Sequence, residues 1–355
     1  MSKGKVKMPI KVLVVDDSPL IRQVLCHMLE EDPEIEVAGT ATNGKEALEK
    51  IASLKPDVVT LDIEMPVMNG LEALARIMET SPLPVIMASH LTVEGAEPTI
   101  KALELGAVDF VTKVSSEHIT INKIQEELIN KIKFVATIPK SHFKPLLAKK
   151  DVPEYSLATI GNVKTDLELV TFGASTGGPR ALNHLLPLFP RDFPLGIVIA
   201  QHMPKEFTLI FANRLNEICN IEVMEAKTGD MVRPGCALIS PAGFQTKVVR
   251  KNNVLQVEVF EQPNLIYKPS VDLLFKSVAL TCESKALCVL LTGMGTDGAA
   301  GMQELRKLGS RTIAEAEESC IVYGMPKAAI DLGGAEFVEP LPNIYSRINQ
   351  IIAGT

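Results

Sequence analysis

The chain has 355 residues, long for one domain and suited to two. Its 46% hydrophobic and 22% charged content supports buried cores and excludes wholesale disorder. A formal net charge of −7 gives no electrostatic reason to expect nucleic-acid binding, and no window approaches the roughly 20 apolar residues of a membrane span. The six cysteines are scattered without a C-x-x-C pair, so buried thiols are expected rather than metal ligands or disulfides. The basic start runs into only four apolar residues, Val12 to Val15, too few for a signal peptide. The expectation is a cytoplasmic protein with no direct membrane insertion.

Short apolar runs predict strands over 11–15, 36–40, 58–61, 85–88 and 108–111. Helical periodicity lies between and after them, over 19–30, 45–54, 70–79, 94–105 and 116–133. This alternation predicts an open five-stranded parallel sheet with helices on both faces. Pro98 is expected to kink or shorten its helix. Residues 139–153 carry three prolines and four lysines against one acid, and 134–165 reads as an interdomain linker. A second doubly wound α/β pattern starts at 166. Its strands are predicted over 167–172, 196–200, 237–240, 254–260 and 287–291, and its helices over 180–188, 207–219, 270–281 and 299–307. The expected organisation is a first domain over 8–133, the linker, and a second domain over 166–355.

Asp16 and Asp17 follow the first strand, Asp62 the third, Ser89 the fourth and Lys113 the fifth. Parallel strands bring these ends to one face, where the three carboxylates repel one another and call for a hard divalent cation. A metal, a hydroxyl and an ammonium together suit an incoming phosphoryl group. A lone acid at a strand end more often caps the next helix, as Asp17 or Ser18 could here. The motifs Val12-Leu-Val-Val-Asp-Asp17, Leu61-Asp-Ile-Glu-Met-Pro-Val-Met-Asn-Gly70 and Phe110-Val-Thr-Lys113 resemble a two-component receiver domain, which has a flavodoxin-like fold. The resemblance implies Asp62 as phosphoacceptor, with Mg²⁺ held by Asp17, Asp62 and the Glu64 carbonyl, and by Asp16 through water. It also implies Ser89 and Phe110 as the residues that rearrange on phosphorylation, and Lys113 as the contact to the phosphoryl oxygens. Val114 stands where the family usually has proline.

In Leu169-Val-Thr-Phe-Gly-Ala-Ser-Thr-Gly-Gly-Pro179 an apolar run ends in small residues around one hydroxyl, Ser175. Gly173 and Gly177 give the G-x-S-x-G spacing of a strained turn that exposes a nucleophile; the alternative is that Ser175 only caps the following helix. Of the six histidines, His184 is carried away along the following helix, whereas His202 directly follows the strand at 196–200. Asp297 lies in the Gly-rich turn into which the apolar run 287–291 leads and can orient an imidazole, or cap the helix at 299; Asp192, Asp230 and Asp272 are weaker rivals. An α/β-hydrolase orders its residues Ser, acid, His, but here the order is Ser175, His202, Asp297, which argues against a lipase-type domain.

Gly173-Ala-Ser-Thr-Gly-Gly178, Gln201-His-Met-Pro204 and Gly293-Met-Gly-Thr-Asp-Gly298 resemble the catalytic domain of the chemotaxis protein-glutamate methylesterase family, CheB. Lys268-Pro-Ser-Val-Asp272 and Tyr323-Gly-Met-Pro326 are similar too, and that family joins a receiver to this esterase in the same order. The resemblance implies demethylation of glutamyl methyl esters on methyl-accepting chemotaxis receptors, with deamidation of receptor glutamines accessible to the same residues. It implies Met294 as an oxyanion donor with Thr176 as the second candidate, no cofactor for the esterase chemistry, and a chemotaxis histidine kinase as phosphodonor. The receiver is expected to restrain the esterase until Asp62 is phosphorylated. Gln245 stands where the family commonly has histidine and Glu315 where glutamine is usual; both departures are expected to alter substrate grip or charge near the mouth. Two other classes are weighed, an inactive receiver-coupled binding adaptor and a transcription regulator. Retention of Ser175, His202 and Asp297 argues against the first, and the absence of a basic helix-turn-helix pattern against the second.

Overall fold

A computed structural model describes residues 8–89, 93–113, 121–138 and 165–354. The chain divides into two compact units, Met1–Leu146 and Leu147–Thr355. The first alternates β1 (Ile10–Val15), α1 (Pro19–Glu30), β2 (Ile35–Ala41), α2 (Gly44–Leu54), β3 (Val58–Asp62), α3 (Gly70–Thr80), β4 (Val85–Ser89), α4 (Val93–Leu105), β5 (Asp109–Thr112) and α5 (Ile121–Val135). Its strands form a parallel sheet of order β2-β1-β3-β4-β5. All five residues of β3 and of β4 are buried, as a parallel sheet covered on both faces requires. Ser18, Asn43 and Asn69 cap α1, α2 and α3 by accepting from Ile21, Glu46 and Glu72 N–H groups, so it is Ser18 and not Asp17 that starts α1. α4 continues through Pro98 instead of stopping there: the missing N–H would reach only the carbonyl four residues earlier, in the first turn, so one bond is forgone.

The second unit contains β6 (Leu169–Ala174), α6 (Gly178–Leu185), β7 (Gly196–Gln201), α7 (Phe207–Ile218), β8 (Glu222–Glu225), β9 (Cys236–Ile239), β10 (Gln245–Lys251) and β11 (Val254–Phe260). Then follow α8 (Val271–Cys282), β12 (Ala286–Leu290), α9 (Ala299–Lys307), β13 (Arg311–Glu315), α10 (Met325–Asp331), β14 (Phe337–Glu339) and α11 (Leu341–Ala353). A seven-stranded parallel sheet has the order β14-β13-β12-β6-β7-β9-β8. The predicted strand over 254–260 is not part of it. β11 pairs antiparallel with β10 in a separate hairpin. The reason is its alternation: Leu255 and Val257 are buried with Val248 against the core of α8, while Gln256 and Glu258 face outward, a pattern that a sheet covered on both faces does not accept. The edge strands β8 and β14, the strand β13 between β14 and β12, the hairpin strand β10 and the helices α10 and α11 were not among the predicted elements. Among the described residues no helix is long and apolar enough to cross a membrane.

Candidate functional site

In the first unit, register brings the acids together. Val15 lies opposite Leu61 on β1 and β3, so Asp16 and Asp62, the next residues, stand side by side. Ser89 pairs with Thr112, which delivers Lys113 to the same edge. Lys113 Nζ lies 2.6 Å from Asp62 Oδ1 and 2.7 Å from Asp16 Oδ2, all three side chains being buried. Burial pushes the Asp62 carboxyl above its usual range; Lys113 opposes this and the Asp16 charge adds to it. Asp17 is exposed at a cleft that Glu64, Pro66 and Pro98 also line. One carboxylate oxygen from each of Asp16, Asp17 and Asp62 lies within 4.8 Å of the others, an all-oxygen donor set that fits a hard divalent cation.

Ser89 is buried with its Oγ 2.6 Å from Thr99 Oγ1. Phe110 is also buried, and its carbonyl accepts a 2.6 Å hydrogen bond from Lys131. Burial would depress the Lys131 ammonium, but Asp109 and Glu127 outweigh it and hold the group above its usual value. Val114 lies outside the described residues.

In the second unit β6 lies between β12 and β7. Ala174 is paired with Gln201, so Ser175 and His202 emerge together beyond the carboxyl ends of their strands. Ser175 Oγ is 3.1 Å from His202 Nδ1, and His202 Nε2 is 2.8 Å from Asp297 Oδ2. The tautomer that satisfies both contacts carries its proton on Nε2, donated to Asp297, and leaves the Nδ1 lone pair facing the serine. Ser175 does not occupy the strained conformation expected from G-x-S-x-G spacing. The positive φ of the turn, 80°, falls on Gly177, which also takes the cap position of α6, so Ser175 is no helix cap. Gly173 serves a different purpose: a side chain there would run into Val271 and Phe275 of α8.

Asp297 does not cap α9, whose cap position is Gly298. It accepts instead from the start of α8: Ser270 Oγ at 3.0 Å, Val271 N–H at 2.7 Å and Asp272 N–H at 3.0 Å. Burial alone would raise its carboxyl, but the hydrogen bond and charge of His202, with these backbone donors, hold it below the usual range. The rival acids go elsewhere. Asp272 accepts from Gly301 N–H, Asp230 from Lys227 N–H, and Asp192 is exposed. His184 is partly buried on α6, where burial and then Arg180 depress its pKa.

The loop of Met294 closes on the serine from the β12 side. Ser175 N–H donates to Thr292 O, Thr292 Oγ1 donates to Thr176 O, and a side chain at Gly293 would stand 2.8 Å from Ser175 Cβ. Behind Thr292 lies Glu315, fully buried. It accepts from Thr292 N–H at 2.8 Å and Ser319 Oγ at 2.9 Å, and burial pushes its carboxyl up to about 7. Gln245 is fully buried too. Its Nε2 donates to Tyr267 O at 2.7 Å and its Oε1 accepts from Ser270 N–H at 2.8 Å. Neither residue reaches a substrate mouth, so the expected effect on grip or surface charge is replaced by an internal supporting role. Two contributors carried no individual expectation: Gln201, whose Nε2 donates to both Ser175 O and His202 O, and Tyr267, which stacks on His202. Gln201 had a signal, a polar residue closing the wholly apolar run 196–200. Tyr267 had none beyond its place before the Lys268-Pro-Ser motif.

The sequence matches the CheB methylesterase family over residues 170–348 and the response regulator receiver domain over 12–125. It is 46% identical over 324 residues to a protein-glutamate methylesterase/protein-glutamine glutaminase of Halalkalibacterium halodurans, covering 91% of this chain and 92% of that one. To the protein of the same name from Bacillus subtilis it is 42% identical, with 97% and 98% covered. The crystal structure of the Thermotoga maritima CheB methylesterase catalytic domain aligns at a TM-score of 0.51 and 36% identity, covering 52% of this chain and 98% of that one. With a hydrogen-bonded serine, histidine and aspartate on one domain and a convergent acid cluster on the other, the chain belongs to the CheB methylesterase family and carries a response regulator receiver domain ahead of the esterase.

Proposed function

We propose that this protein hydrolyses glutamyl methyl esters of methyl-accepting chemotaxis receptors, and deamidates receptor glutamines, under control of phosphorylation at Asp62. The observation that carries the reading is the continuous hydrogen-bonded line from Ser175 Oγ through His202 to Asp297. His202 Nδ1 takes the serine proton as Oγ attacks the γ-carbonyl, and Asp297 stabilises the imidazolium that forms. The oxyanion rests against the N–H groups of Met294 and Thr176. His202 then returns its proton to the departing methoxide, releasing methanol and leaving an acyl-serine. Next it takes a proton from water, whose oxygen attacks the acyl carbon; returning that proton to Ser175 frees glutamate. A glutamine substrate follows the same path with ammonia as the leaving group.

In the receiver, Asp16, Asp17, Asp62 and the Glu64 carbonyl are the groups that would hold Mg²⁺, which neutralises charge on an incoming phosphoryl group. Asp62 accepts the phosphoryl group from a chemotaxis histidine kinase or a small phosphodonor, and Lys113 contacts its oxygens. Ser89 exchanges its contact with Thr99 for one with the phosphoryl group, and Phe110 moves with it. The test is methanol release from methylated receptor with and without a small phosphodonor and Mg²⁺. Stimulation is expected for the parent protein and none for Asp62→Ala. Equal stimulation of both would remove Asp62 from the scheme.

A further inference from the structure

Two groups, Ser175 and Asp297, hold the imidazole edges of His202, but its face is held separately. The Tyr267 ring lies flat on it, with centroids 4.5 Å apart and an interplanar angle of 3°. Tyr267 is 40% exposed, so burial of the ring in a core does not explain this position. The segment is instead clamped from behind. The buried Gln245 amide holds the Tyr267 carbonyl with one end and the Ser270 N–H with the other, and Ser270 Oγ in turn donates to Asp297. One side chain thus fixes both the stacked ring and the hydroxyl that helps orient the acid. At its tip, the Tyr267 hydroxyl lies against Gly295, where a side chain would come within 3.3 Å, in the loop that follows Met294.

The geometry points to Tyr267 as a positioning residue for the esterase reaction: it keeps the His202 ring in the plane that serves Ser175 and Asp297 together, and Gln245 holds it in place. This rests on the reading of His202 as the general base. A flat aromatic face restricts tilting of the imidazole while leaving both ring nitrogens free for their edge partners. It also favours the imidazolium formed during turnover, because the ring's π face carries negative charge. The contact is made by the ring, not by the hydroxyl, so phenylalanine supplies it and an aliphatic side chain of similar size does not. Misplacement of reacting groups by about 1 Å lowers a rate by about 100-fold.

The test uses the full-length protein and compares Tyr267→Phe with Tyr267→Leu. Methanol release by Tyr267→Leu is expected to show kcat lowered about 10–100-fold with KM nearly unchanged, and Tyr267→Phe to remain within about threefold of the parent. A second readout is independent of turnover: the ring carbon-bound protons of His202, assigned by their loss in His202→Asn, are shifted upfield by the stacked ring. That shift is expected to persist in the Phe variant and vanish in the Leu variant, with thermal unfolding midpoints confirming that both fold. A parent-like kcat in Tyr267→Leu, equal losses in both variants, a change confined to KM, or His202 resonances indifferent to the Leu substitution would each overturn the assignment. If the parent itself releases no methanol, the esterase reading fails while the resonance shift still decides whether the stack exists.

Discussion

Methanol release is expected to fall about 10⁴–10⁶-fold in Ser175→Ala and His202→Ala, and about 10⁴-fold in Asp297→Asn. The three values follow from different losses. Without Ser175 no acyl-enzyme forms, and without His202 the serine keeps its proton. In Asp297→Asn the amide can present its nitrogen to His202 Nε2, which then must accept, so the proton moves to Nδ1 and the lone pair facing Ser175 is lost. Double substitutions are expected to cost little more than the worst single one, because the residues act as a unit. Asp297→Asn should also lower stability, since an uncharged side chain replaces the carboxylate that faces the helix-start donors Val271 N–H and Asp272 N–H. Methanol assays of the purified variants check the first claim and urea unfolding the second; parent-like turnover by Ser175→Ala ends the serine-esterase reading.

A stability penalty that grows with pH is expected from Glu315. Burial raises its folded-state pKa from 4.5 to about 7. Below pH 4.5 both folded and unfolded chains hold the proton. Between 4.5 and 7 the unfolded chain releases it while the folded one does not, so stability falls as pH rises through that window and stays low above it. The difference of about 2.5 pH units corresponds to roughly 3 kcal/mol at pH 8, a large part of an ordinary domain's stability. Glu315→Gln removes the proton and keeps the partners: its carbonyl accepts from Thr292 N–H and its amide donates to Ser319 Oγ. The variant should therefore be about 2–3 kcal/mol more stable than the parent at pH 8, with the gap closing towards pH 5. Urea unfolding of both proteins across this range gives the answer, and parallel stability curves would remove Glu315 as the cause.

Much of both sites was legible because several of their principal residues directly follow apolar runs, and each parallel sheet gathers such ends on one edge. Asp16 with Asp62 in the first unit, and Ser175 with His202 in the second, could be paired on that ground alone. The supporting residues could not. Gln245 and Glu315 look like ordinary polar positions locally, and hydrogen-bond partners that satisfy them when buried lie 22 and 23 residues away. The partners of Asp297 were equally hidden, since Ser270, Val271 and Asp272 approach from a helix start 25–27 residues earlier. Local spacing was misleading at Ser175: its two flanking glycines suggest a strained elbow, yet Gly173 makes room for α8 and Gly177 alone carries the left-handed turn. The hairpin β10–β11 shows the same limit in the fold, because alternation specifies a half-buried strand but not its partner.

The carboxylate that aligns His202 also takes the first amide protons of α8. Solvent exchange at Val271 and Asp272 is therefore a clock for the integrity of the site. Whenever the start of this helix frays, those amides become exchangeable and the imidazole loses its anchor in the same event. Their protection against deuterium consequently reports the fraction of molecules ready to react, in resting protein, with no substrate present.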